Sequence, residues 1–197
     1  MKRFISLAVT AVLAVGTLLA QDTAWKLDKS HTSVSFSVRH MIISDVTGSF
    51  KDFDVSMTSS KEDFSDLTVE AAIKVASITT DNQGRDNHLK SDDFFNAEKF
   101  PEIKFKSTKV EKVGDKSFKI TGDFTMRDVT KQVTFDAVLN GVIITERGTV
   151  SGWKATTAIN RFDYNLKWNR ALETGGLVVG EMVNITLNLE LQKPNNL

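Results

Sequence analysis

Residues 183–192 read VNITLNLELQ and alternate without a break. Val183, Ile185, Leu187, Leu189 and Leu191 fall on one side, and Asn184, Thr186, Asn188, Glu190 and Gln192 on the other. Successive side chains of a β-strand point to opposite faces, so this stretch is a strand with one dry and one wet face. Outward from it the same period recurs. Val34, Phe36 and Val38 share a face in SVSFSVRH, and Leu67, Val69, Ala71, Ile73 and Val75 share one in the longer run after Asp66. Ile103 with Phe105, Phe118 with Ile120, and Val133, Phe135, Ala137 and Leu139 repeat it. Gly114-Asp115, Asn140-Gly141 and Arg147-Gly148 are turn signals between strands. The phase slips once: Val46, Gly48 and Phe50 are even, whereas Phe53, Val55 and Met57 are odd. A bulge or sharp bend near Lys51–Asp52 returns both sets to the inside.

One stretch, TTDNQGRDNHLKSDDFFNAEKFP, does not alternate. Asp81 is expected to cap a short helix running through Leu89, and Ser91 with Asp92 to start a second. It reads as a helical insertion between strands. Many one-sided strands with little helix mean an all-β sandwich or barrel, and periodicity alone does not separate the two.

The start of the chain is an address. Lys2 and Arg3 precede an uncharged run from Phe4 to Ala20, and Asp22 follows. This is the layout of a signal peptide over 1–20: the run sits at the short edge of what spans a bilayer and no basic stop-transfer flank follows it, an uncleaved N-terminal anchor being the alternative. The remainder, 21–197, suffices for one domain, expected in the periplasm or secreted from a bacterial cell. With 25 basic and 25 acidic residues there is no basic surplus for nucleic acid. With no cysteine there is no disulfide framework, no thiol chemistry and no lipid-modified N-terminus.

The residues also carry a resemblance. WKLDKSHTSVSFSVRHMIISDVTGSFKDFDV, RDNHLKSDDFFNAEKFPEIKFKST, GDFTMRDVTKQVTF and AINRFDYNL stand in the order seen in the YceI-like family, from Trp25 to about Leu191. The resemblance implies a single antiparallel eight-stranded lipocalin-like β-barrel with a short helical insertion. It further implies an exported protein with an isoprenoid-type lipid as bound ligand: a polyisoprenoid, quinone or fatty-acid-like molecule. Two positions depart from the family. Asp128 stands where Gly is common, and Tyr164-Asn165 where Phe-Gly is usual.

Parity and resemblance together nominate the lining of a ligand channel: Val34, Phe36, Val38, Phe50, Val69, Ala71, Ile73, Phe105, Ile120, Phe135, Ala137 and Leu187. The small residues Ala71, Ala137, Gly48 and Gly122 share the dry face, where they leave a channel or fit a barrel's taper. His40, whose parity points inward, and Arg85 with His88, three apart on one helix side, are candidates for the ligand's head group. The competing readings make Arg85 and Asp86 salt bridges that tie the insertion to the rim, and His40 a buried, hydrogen-bonded core residue. Arg161, beside Asn160 and Asp163, reads as an ion-pair residue.

No catalytic or metal residue is nominated. His31, His40 and His88 occur without HExxH, an elbow motif or a P-loop, so no enzyme and no cofactor is expected. An enzyme acting on such a lipid and an apolar-filled interaction barrel are the rival functions, and a homodimer is an open expectation.

Overall fold

The computed structural model describes residues 24–173 and 175–194. The leader and its cleavage point lie outside these described residues. Eleven strands form one antiparallel sheet: β1 (Ala24–Leu27), β2 (Ser33–His40), β3 (Ser44–Phe50), β4 (Phe53–Thr58), β5 (Thr68–Lys74), β6 (Ile78–Thr79), β7 (Glu102–Lys112), β8 (Ser117–Met126), β9 (Val129–Thr145), β10 (Gly148–Asn160) and β11 (Val179–Lys193).

The first six are three long strands, each interrupted once. Both β1 and β2 pair with β11, β3 and β4 pair with β2 and β1 respectively, and β5 and β6 pair with β4 and β3. The wall therefore has eight staves in up-and-down order, closed where β11 meets β1 and β2. Closure removes the open edges along the ring except at one seam, between β6 and β7, which is how a fold of amphipathic strands protects itself.

The three interruptions lie side by side. Asp28 caps a 3-10 turn at Lys29–His31, accepting the Ser30 N–H at 2.9 Å. Next, Lys51–Asp52 separates β3 from β4, and a 3-10 turn at Val75–Ser77 separates β5 from β6. Lys51 N–H donates to Ser77 O at 3.2 Å and Lys74 N–H to Asp52 O at 2.9 Å, so the bends are stitched together. This is the bend expected from the phase slip, and it buries both Phe50 and Phe53.

The other turn signals divide. Arg147-Gly148 ends β9, but Asn140-Gly141 lies within it: Gly141 pairs with Gly152 and Leu139 with Trp153. Asn140 is thus the extra residue of a bulge, and the asparagine–glycine pair bends the strand where it was expected to turn it.

One pole of the barrel is plugged. Phe64, from the β4–β5 loop, stands edge-on to Trp153 at 5.1 Å and lies against Trp25 at 5.6 Å. Trp153 donates its indole N–H to Ser151 Oγ at 3.1 Å, which satisfies the one polar atom of a large buried ring. At the other pole stand the turn at 41–43, the insertion at 80–101, the turn at 127–128 and the loop at 161–178.

The insertion fills a seam. β5 pairs with β7 only as far as Lys74 with Glu102, and β6 pairs with β3. Between β6 and β7 lies α1 (Gln83–Lys90). Its N-cap is Asn82, whose Oδ1 accepts the Arg85 N–H at 3.0 Å, and not Asp81, which turns left-handed at φ 57. No second helix starts at Ser91–Asp92; that segment is a series of turns carrying Phe94 and Phe95 back to β7.

Candidate functional site

Inside the barrel is a cavity of about 160 Å³. All twelve residues nominated from parity line it: Val34, Phe36, Val38, Phe50, Val69, Ala71, Ile73, Phe105, Ile120, Phe135, Ala137 and Leu187. Leu89, Phe94 and Phe95 of the insertion form its upper wall, and Trp153 belongs to its floor. Two polar residues reach it, and both commit their polar atoms elsewhere. Ser35 Oγ donates to Thr186 O at 3.1 Å. Arg161 donates to four carbonyls: Gly180 at 2.8, Leu166 at 2.5, Trp168 at 2.9 and Val179 at 3.0 Å. The wall presented to the cavity is apolar.

Arg161 thus corrects the sequence reading: among the described residues it makes no ion pair. It is buried, and burial lowers its basicity, with Glu181 opposing at a distance. Its fork gathers the carbonyls of the 161–180 loop and holds the loop against the barrel top.

The glycines also resolve. A Cβ on Gly48 would lie 2.3 Å from Phe36 Cζ, and one on Gly122 would lie 2.6 Å from Phe105 Cζ. These two glycines seat aromatic rings of neighbouring staves, whereas Ala71 and Ala137 border open space.

Above the cavity is a vestibule of about 370 Å³. It shares Phe36, Val38, Leu89, Phe94 and Val179 with the cavity, so the two spaces have common walls. The three nominated head-group residues, His40, Arg85 and His88, all line it, together with Arg39 and Trp168. No acidic side chain belongs to its lining. His88 stands edge-on to Phe94 at 5.0 Å and to Trp168 at 4.9 Å, with Nε2 held by Asp93 Oδ2 at 2.9 Å. The His40 ring has no hydrogen-bond partner among the described residues.

Arg85 and Asp86 fasten α1 to Thr80, the residue that follows β6, and not through salt bridges. Asp86 accepts from Thr80 N–H at 2.8 Å and from Thr80 Oγ1 at 2.5 Å. Arg85 Nε donates to Thr80 Oγ1 at 2.7 Å and Nη2 to Thr80 O at 2.9 Å. The other anchor is Arg127, at the β8–β9 turn with φ 54, which donates to Phe94 O at 2.7 Å and meets Asp92 Oδ1 at 3.2 Å. Sequence reading missed Thr80 and Arg127. The signal for the latter lay in GDFTMRDVTK, where the left-handed residue of the turn is Arg127 and not the unusual Asp128. Asp128 instead accepts from Asn165 Nδ2 at 3.2 Å. Asn165 takes the left-handed conformation at φ 62, which Asn tolerates in place of Gly.

On the outer wall the donor atoms of Asp28, His31 and Glu190 lie within 4.8 Å of one another. Asp28 is held down to about 2 by hydrogen bonds from Ser30 and His31, and Gln192 also donates to it at 2.9 Å. The trio is an exterior hydrogen-bond cluster away from the cavity.

The comparisons agree with this architecture. The UPF0312 protein SA2479 of Staphylococcus aureus (strain N315) is 39% identical over 170 residues, covering 85% of this chain and 96% of that one. The crystal structure of the Campylobacter jejuni YCEI protein is 32% identical, covers 86% of this chain and 97% of its own, and superposes with a TM-score of 0.69. A polyisoprenoid binding domain from Saccharophagus degradans shares the fold at 14% identity, with 86% and 98% covered and a TM-score of 0.62. The family model described as a YceI-like domain matches residues 25–191, and the chain belongs to that family.

Proposed function

We propose that the protein sequesters or carries a long-chain amphiphile of the polyisoprenoid, quinone or fatty-acid type, outside the cytoplasm. The observation that carries this reading is a wholly apolar cavity that shares walls with a vestibule lined by His40, Arg85 and His88. An apolar cavity of roughly this size stays dry and takes up apolar molecules. A tail gains about 0.8 kcal/mol for each buried CH₂, with no partner needed beyond a dry wall. A tail that outgrows the cavity would place its near end in the vestibule among the polar groups. The Saccharophagus degradans domain described as polyisoprenoid binding has the same fold, which supports the ligand class.

An enzyme acting on the lipid is the rival reading. It is disfavoured by the commitment of Ser35 and Arg161 to backbone carbonyls, which leaves the inner wall without a free acid, base or nucleophile.

Ala71→Trp tests the reading. Ala71 pairs with Val55 and Phe105 and borders the cavity. A ring there fills space assigned to the tail. Bound amphiphile is expected to fall several-fold, with the melting temperature nearly kept. In a filled core the same change costs about 1–3 kcal/mol. A variant that loses stability while its folded fraction keeps a full lipid load contradicts the reading.

A further inference from the structure

The turn between β2 and β3 is made of Met41, Ile42 and Ile43, residues that are 41%, 59% and 83% exposed. Ile43 N–H donates to His40 O at 3.2 Å, with Met41 at φ 49 and Ile42 at φ 70 between them. Two left-handed central residues define a turn geometry that selects Asn and Gly. A β-branched residue there is a conformational outlier. The chain thus accepts backbone strain and keeps three apolar side chains in water, a combination that points to use of those side chains.

Their position says what covers them. Met41 N–H donates to Val178 O at 2.9 Å, and His40 and Val178 both line the vestibule. Ile42 is seated on Gly176: a Cβ there would lie 2.4 Å from Ile42 Cδ1. The turn is therefore an apolar lip continuous with the vestibule wall. Three side chains on a hairpin tip fall far short of the roughly 800 Å² per partner that a stable protein interface buries. A wedge of this size suits the boundary between head groups and acyl chains, which needs no shape-complementary partner. Arg39 beside the lip is paired with Asp45 at 3.2 Å, so insertion here does not depend on anionic lipid.

We propose that Met41–Ile43 docks the barrel mouth onto a lipid surface, where the vestibule exchanges its amphiphile with the membrane. This rests on the carrier reading above. The test is co-sedimentation of the purified protein with phosphatidylcholine vesicles. The variants are Met41→Asn with Ile42→Gly, Ile43→Glu, and Ile144→Asn on the hairpin at the opposite pole, where Ile144 is 79% exposed. Both lip variants should lose vesicle binding by tenfold or more, and Ile144→Asn should bind as the parent does. The Asn-Gly turn should also melt about 2–4 °C higher, because it relieves the strain. Amphiphile recovered from the lip variants by organic extraction should match the parent. Unchanged sedimentation of both lip variants, an equal loss in Ile144→Asn, or a parent dimer that the lip variants split without any vesicle binding overturns the proposal. Folded protein whose organic extract is empty in every sample and which gains no lipid when mixed with isoprenoid, quinone or fatty acid overturns the carrier reading instead, whatever the vesicles show.

Discussion

Asp86 accepts two hydrogen bonds from a single residue, Thr80: one from its N–H at 2.8 Å and one from its hydroxyl at 2.5 Å. Arg85 closes the knot on the Thr80 hydroxyl and carbonyl, so three consecutive groups of one threonine are satisfied by the first turn of α1. This latch fastens the first turn of α1 to the end of β6, beside the seam between β6 and β7. Asp86→Ala leaves the buried Thr80 donors without an acceptor, which costs about 1–3 kcal/mol. Amide exchange should accelerate across 80–101 and stay slow in β8, β9 and β10. Uniform acceleration through the barrel would mean that the insertion does not open as a unit.

Acid should act through the same carboxylate and two others. Burial pushes the Asp86 carboxyl up, but the bonds from Thr80 outweigh it and leave it below its ordinary value. Asp66 is lowered further by the Ser60 and Ser59 hydroxyls, and Glu102 is held at about 2 by Lys74 and Lys104. Carboxyls lowered in the folded state contribute stability that is present above their unfolded values and lost as pH falls through the folded ones. The melting temperature should be level from pH 7 to about 5 and fall between about pH 4 and 2. A profile flat to pH 2 would contradict these pairings.

Tyr164 is the single tyrosine of the chain. Burial raises its phenol to about 12, with Asp163 adding to the shift, and its ring stands edge-on to Phe124 at 5.5 Å. A group raised on folding contributes stability below its unfolded value, near 10, that is lost as pH rises toward 12. Ultraviolet titration of the folded protein should therefore show no tyrosinate at pH 10. Ionisation near pH 10 with the fold intact would place Tyr164 in solvent.

Head-group reading is best tested at His40 and His88, because Arg85 is engaged by Thr80 and its removal also loosens the latch. His88→Phe keeps the ring between Phe94 and Trp168 and removes the nitrogens; His40→Phe does the same across the vestibule. A hydrogen bond to a charged head is worth roughly 1.5–3 kcal/mol, or about tenfold and more in affinity. Each variant should weaken a polar-headed isoprenoid by that factor and leave the bare hydrocarbon unchanged. Equal weakening of both ligands would assign the two histidines to packing.

The alternation of Val34, Phe36 and Val38, or of Val133, Phe135 and Ala137, is legible because period two is a property of each strand alone. It specifies which side chains face inward, and the barrel places all of these except Val133 on one cavity. What lay beyond reach depends on which groups folding brings together. Thr80 is near Arg85 and Asp86 in the chain, yet a lone threonine does not mark itself as their partner, and Arg127 stands 33 residues from the Phe94 carbonyl it holds. The ring of Phe36 over Gly48 and that of Phe105 over Gly122 are cross-strand contacts, so the glycines looked like empty space. Asn140-Gly141 failed as a turn because β10 continues past it and absorbs Asn140 as a bulge. Arg161 looked like an ion-pair residue because Asp163 stands near it in sequence, whereas folding surrounds it with carbonyls.

The most direct measurement is mass spectrometry of an organic extract from protein purified out of its native host, with Ala71→Trp prepared in parallel. The carrier account predicts a long-chain amphiphile approaching one molecule per chain in the parent and several-fold less in the variant, both proteins being folded. Protein that is folded, has taken up no lipid in its host and gains none when mixed with isoprenoid, quinone or fatty acid would contradict it.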